Sequence, residues 1–114
     1  MSVSVAVKKY SIIMYGSHNG FGDGSSGLLG DSRAQIQLIN QSNQTVALVF
    51  FHDLAMPFPP NDSIDQNIIR MHLPSSMYQS VIDFLRNERT VNINFDPNSN
   101  KASLSSPPEN IGAG

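Results

Sequence analysis

No cysteine and no tryptophan occur among the 114 residues of this chain. Without cysteine there can be no disulfide framework and no thiol chemistry. A cysteine-free chain fits a reducing compartment, so the cytoplasm is the expected location. Charge is also scarce. Asp, Glu, Lys and Arg make up 14 % of the residues, where about a quarter is usual. The seven cations (Lys8, Lys9, Arg33, Arg70, Arg86, Arg89 and Lys101) are scattered and the formal net charge is -2. A general nucleic-acid binder draws most of its affinity from phosphate contacts and needs a dense basic footprint. That footprint is missing, so nucleic acid is not an expected partner. No apolar run approaches the ~20 residues of a membrane helix, so no membrane association is expected. The N-terminus places its short apolar stretch, residues 1–7, before Lys8 and Lys9, the reverse of a signal peptide. The three Asn-x-Ser/Thr patterns at Asn40, Asn43 and Asn61 therefore read as polar loops rather than glycosylation sites.

Asn, Gln and Ser fill the polar positions, and a surface so low in charge lacks the repulsion that keeps copies apart. The length is that of one domain, expected over residues 1–105 and followed by a poorly ordered tail at 106–114, which holds two prolines and two glycines.

The apolar pattern is mostly of period two. Val3, Val5 and Val7 alternate with polar or small residues, then Tyr10, Ile12 and Met14 continue one residue out of step. A one-residue slip turns a strand over, so a bulge or break is expected at Lys8–Lys9. Residues 16–31 hold six of the eight glycines and are expected to form a long flexible loop. Ala34, Ile36 and Leu38 alternate, residues 41–43 are turn chemistry, and residues 45–51 are apolar at every position but the first. The two runs predict a hairpin whose second strand is covered on both faces. Residues 53–67 are a proline-punctuated connection, and Ile69, Met71 and Leu73 mark a fourth strand. Tyr78, Val81, Ile82 and Leu85 follow the helical rule, with Ser76 and Gln79 spaced as a capping box. Val91, Ile93 and Phe95 alternate again, and a turn at 96–100 leads to a last strand at 101–105. The expected order is β-β-β-β-α-β-β. It predicts an α+β fold: a twisted, mostly antiparallel sheet or a small half-open barrel or sandwich, with the 76–88 helix packed on it.

Three histidines lie near strand ends: His18, His52 and His72. In an up-and-down meander, His18 and His52 finish at one edge beside Asp53, and His72 finishes at the other. A crossing of the sheet by residues 53–67 would undo that separation. His18, His52 and Asp53 are thus the candidate ligand-binding residues, and on that reading the chain would be a small enzyme or metal protein. No pair of histidines has a metal-ligand spacing, so neither a metal nor a cofactor is expected. The run from Gly20 to Gly24 is followed by a strand, not by the helix N-terminus that phosphate loops require. Asp23 and Asp31 lack the alternating acids of a calcium loop. Asp53, Asp62 and Asp65 have no spacing that fixes a catalytic pair, and no nucleophile elbow is present.

One helix of about three turns cannot cover both faces of strand 45–51. The second face must meet another layer, a barrel interior or a second subunit, which makes Ala47, Val49 and Phe51 candidate interface residues. The leading expectation is a non-enzymatic binding or assembly module that self-associates as a homodimer, or that binds an unidentified protein partner. Four strands followed by a helix also resembles the organisation of small single-strand nucleic-acid-binding folds. On that reading Tyr10, Tyr15, Phe50, Phe51 and Phe95 would stack on bases, without the basic groove such folds use.

Overall fold

The structure, a computed structural model, describes residues 2–15, 33–53 and 59–108. The fold is α+β: among the described residues there are two mostly antiparallel sheets with one short helix packed on them, and no closed barrel forms. Strands β1 (Val3–Val7), β7 (Val91–Asp96) and β8 (Lys101–Ser105) form a three-stranded sheet in the order β1-β7-β8. Strands β2 (Lys9–Met14), β3 (Ala34–Ile39), β4 (Thr45–His52), β5 (Ser63–Asp65) and β6 (Ile68–Pro74) form a five-stranded sheet in the order β2-β3-β4-β6-β5.

The phase slip at Lys8–Lys9 is where the chain changes sheets. Val3, Val5 and Val7 pair with Phe95, Ile93 and Val91 in the first sheet. Two residues later, Tyr10, Ile12 and Met14 pair with Leu38, Ile36 and Ala34 in the second. The two sheets face one core from opposite sides, so a chain passing between them must reverse its inward parity. The core joins both sheets and the helix through Ile36, Leu38, Ala47, Val49, Phe51, Ile69, Ile93 and their neighbours. Each of these side chains larger than alanine, fully buried, contributes roughly 1.5–3 kcal/mol. The other face of the three-stranded sheet is polar. There Ser4 donates to Asn94 at 2.7 Å, and the Asn94 amide donates to the hydroxyls of Ser103 and Ser105.

Strands β3 and β4 form the expected hairpin, with a register shift after Leu38 that leaves Val46 as an extra residue. Its turn is built by Asn40, whose side-chain oxygen accepts from the amides of Ser42 and Gln44. Two departures from the sequence reading shape the rest. The connection after β4 contains a strand of its own, β5, joined to β6 through Gln66 and Asn67 at φ 52° and 64°. Positive φ at both central residues suits a two-residue hairpin turn. The connection also crosses the sheet, so β4 and β6 run parallel and adjacent, Ala47 beside Ile69 and His52 beside Pro74. The helix has the expected buried stripe, Val81, Ile82 and Leu85, over α1 (Tyr78–Asn87). The capping box does not form, because Ser76 lies inside a 3-10 turn (Ser75–Met77) that feeds straight into α1, and no side chain caps the helix.

Among the described residues no helix is long and apolar enough to cross a membrane. Residues 16–31, expected as a flexible loop, lie outside the described residues with Asp23 and Asp31, as do residues 109–114 of the expected tail.

Candidate functional site

The parallel pairing of β4 and β6 sets the chemistry of one sheet face. Residues at alternate positions on these strands, Phe50 and His52 on β4 with Arg70 and His72 on β6, point away from the core formed by Val49, Phe51 and Met71. Phe50 is the register partner of His72, and their rings stack at 5.3 Å and 17°. His52 Nε2 lies 2.9 Å from His72 Nδ1. Both histidines are buried, at 0 % and 7 % exposure. A bond between two imidazole nitrogens needs one donor and one acceptor, so one ring supplies the shared proton and the other accepts it. The His72 pKa is pushed down to about 4, first by burial and then by the neighbouring His52; Arg70 adds to this and the Asp62 carboxylate opposes it.

His52 and His72, expected at opposite edges of a meander, therefore meet. The cause is the crossover, which brings β6 beside β4 in the same direction. His18 lies outside the described residues. Asp53 turns away from the histidine pair. Its carboxylate takes a forked bond from Arg33 Nε (3.0 Å) and Nη2 (2.8 Å). The Arg33 guanidinium and the Ser75 hydroxyl hold the Asp53 carboxyl below the usual carboxylate range. This pair ties the start of β3 to the end of β4. The nitrogens that His52 and His72 turn towards each other are committed to their mutual bond. Among the described residues no group of three or more His, Asp or Glu is placed to hold a metal ion.

Asp62, seen in the sequence only as an acid in a proline-rich connection, proves to be a clamp between the sheets. One carboxylate oxygen accepts from the His72 amide at 2.8 Å and the other from the Ala102 amide at 2.8 Å. Its own amide donates to the Asn100 carbonyl at 3.0 Å. Arg70, on the same strand as His72, has its Nη1 buried with no hydrogen-bond partner.

The interface candidates Ala47, Val49 and Phe51 are all at 0 % exposure inside the chain's own core. Phe51 packs edge-on against Tyr78 of the helix at 5.1 Å. The second sheet and the helix supply the layer that the sequence required, so these residues have no surface left to offer a partner. On the opposite face of β4, His52 is buried, and Leu48 and Phe50 are half-buried; Val46, at the bulge, joins the core. Of the proposed stacking aromatics, Phe51 and Phe95 lie in the core and Tyr10 packs against it.

A second feature had no signature in the sequence. A cleft of about 370 Å³ opens between β6, α1 and β8. Met71 and Leu73 form its floor, Met77, Val81 and Phe84 one wall, and Ala102 and Leu104 the other, with Ser80 and Ser103 as its polar groups. β8 is an edge strand. Because the Ala102 amide points to Asp62, Ala102 and Leu104 turn their backbone groups away from β7, and Lys101, Ser103 and Ser105 bond to it. The Leu104 N–H and C=O and the Ala102 C=O therefore face outward along the cleft. Elsewhere, folding gathers Lys8, Lys9 and Arg89 around a cleft of about 50 Å³ that also includes Glu88.

Compared with family models, curated proteins and solved structures, the chain matches none of them.

Proposed function

We propose that this chain is a non-enzymatic binding module that takes an extended apolar peptide segment along the edge of β8, over the cleft between β8 and α1. The observation that carries this reading is the pairing of outward-facing backbone groups at Ala102 and Leu104 with an apolar trough beside them. Strand addition draws its affinity from main-chain hydrogen bonds and its selectivity from pockets for alternate side chains. The trough supplies both. Its size is in the range of sites that bury small ligands and short segments, roughly 300–1,000 Å³. The clamp at Asp62 marks one end of the accessible edge, since it already occupies the Ala102 amide. Such a segment would carry apolar residues at every second position, the ones that enter the cleft, because the cleft lining holds no charge. A cysteine-free chain also fits placement of this module in the cytoplasm.

Selection of peptides from a random display library on the immobilised chain tests this reading. Enriched sequences should alternate apolar residues. Leu104→Pro, which removes the edge donor, and Ser80→Trp, which fills the cleft, should each abolish their binding. Enrichment without alternation, or binding indifferent to both substitutions, would overturn it.

A further inference from the structure

Of the large apolar side chains exposed among the described residues, three are consecutive in β2: Ile12 at 40 %, Ile13 at 43 % and Met14 at 68 %. β2 is an edge of the five-stranded sheet. Natural sheets blunt their edges with short strands, charges, prolines or bulges. The opposite edge obeys this rule: β5 is three residues long and ends on Asp65. β2 does not obey it. Beyond Lys9 it runs Tyr10 to Met14 with no charge, no proline and no glycine.

The backbone of β2 decides what such an edge can receive. The Tyr15 amide donates to the Arg33 carbonyl at 3.0 Å, which puts the odd residues 11, 13 and 15 on the side bonded to β3. Tyr10, Ile12 and Met14 consequently turn their N–H and C=O groups outward. We infer that β2 pairs antiparallel with β2 of a second copy of this chain about a twofold axis at Ile12, joining two five-stranded sheets into one.

The register follows from the sequence of the strand. With the axis at Ile12, the two Ile12 residues exchange both backbone bonds. Tyr10 then pairs with Met14 of the second copy at each end, and all the outward groups of the three residues are used. Aromatic and thioether side chains make favourable contacts, so the Tyr10–Met14 pairs suit each other. On the other sheet face Ser11 stands opposite Ile13 of the second copy. The charges favour this arrangement over its rival. Antiparallel pairing sets each Lys9 opposite Tyr15, whereas parallel pairing would stack Lys9 on Lys9, and like charges directly opposite are destabilising. The low overall charge of the chain leaves little else to hold two copies apart. This contact is separate from the cleft on β8 and α1, and each can fail without the other.

Light scattering over a range of concentrations tests the contact, together with substitutions in β2. The full chain should be a dimer. Ile12→Lys should weaken the dimer by about 100-fold, through two opposed charges and a lost apolar pair, and keep its circular dichroism. Because the chain has no cysteine, a single introduced thiol reports the register. Ile12→Cys should be joined to its copy rapidly by a short bis-maleimide. Lys9→Cys should not, since six residues of strand, roughly 20 Å, separate the two thiols. A wild-type chain that stays monomeric at millimolar concentration would overturn the proposal. So would a dimer in which Lys9→Cys is joined as fast as Ile12→Cys.

Discussion

Acid should destabilise this protein through His72, starting above the pH at which its carboxylates titrate. His72 has a pKa held down to about 4 against an ordinary 6.5, chiefly by burial and next by His52. In the unfolded chain the same imidazole takes up a proton near 6.5. Between those two values the unfolded state binds a proton that the folded state refuses, so stability falls as the pH falls. Above 6.5 both states are neutral and the group contributes nothing; below about 4 the loss is complete. At about 1.4 kcal/mol per pKa unit, the full loss is about 3 kcal/mol, of which about 2 kcal/mol has gone by pH 5. That is a large fraction of the roughly 5–15 kcal/mol that holds a domain folded. The geometry gives the same sign, since His72 is only 7 % exposed and a charge on its ring would sit away from water. Urea unfolding of the wild type and of His72→Asn, at intervals from pH 7.5 to 4.5, reads the effect. Asparagine keeps a polar atom near the position of Nδ1 and has no charge to gain. The wild type should lose about 2 kcal/mol more than the variant between pH 7 and 5. Asp53, whose pKa is lowered, gives stability that is lost only as the pH falls through lower values, and it cancels in the comparison. Parallel pH profiles for the two proteins would refute the reasoning.

Asp62→Ala removes the acceptor for the amides of His72 and Ala102 and should cost about 2–4 kcal/mol by urea unfolding, with faster hydrogen exchange at both amides. Arg70→Met replaces a guanidinium that has one nitrogen buried without a partner, and should be neutral or stabilising by up to about 1 kcal/mol in the same assay. Ser76→Ala should change stability by less than about 0.5 kcal/mol, because Ser76 caps nothing; a true N-cap would cost about 1 kcal/mol. Phe51→Ala should cost about 3–5 kcal/mol and broaden the side-chain resonances of Tyr78, which packs on that ring.

The sequence by itself determined the inward faces. Alternation at Ala34, Ile36 and Leu38, at Ile69, Met71 and Leu73, and at Val91, Ile93 and Phe95 fixed which side chains enter the core, because a strand turns every second residue to one side. The helical spacing of Val81, Ile82 and Leu85 did the same for α1. The break at Lys8–Lys9 was written in the phase of the valines and of Tyr10, Ile12 and Met14. What the pattern could not specify was who stands beside whom. Periodicity reports faces and is silent on neighbours, so the partition of β1 and β2 into different sheets was not legible. Nor was the parallel pairing of β4 with β6, although β4, apolar on both faces, carried the mark of a strand in a parallel pair. That one pairing decided the site: it brought His72 to His52, seated Asp62 between the two sheets, and enclosed Ala47, Val49 and Phe51 within the chain. Contacts of this kind join residues 10 to 40 positions apart, and only closure of the whole fold brings them together, because no local segment holds both partners.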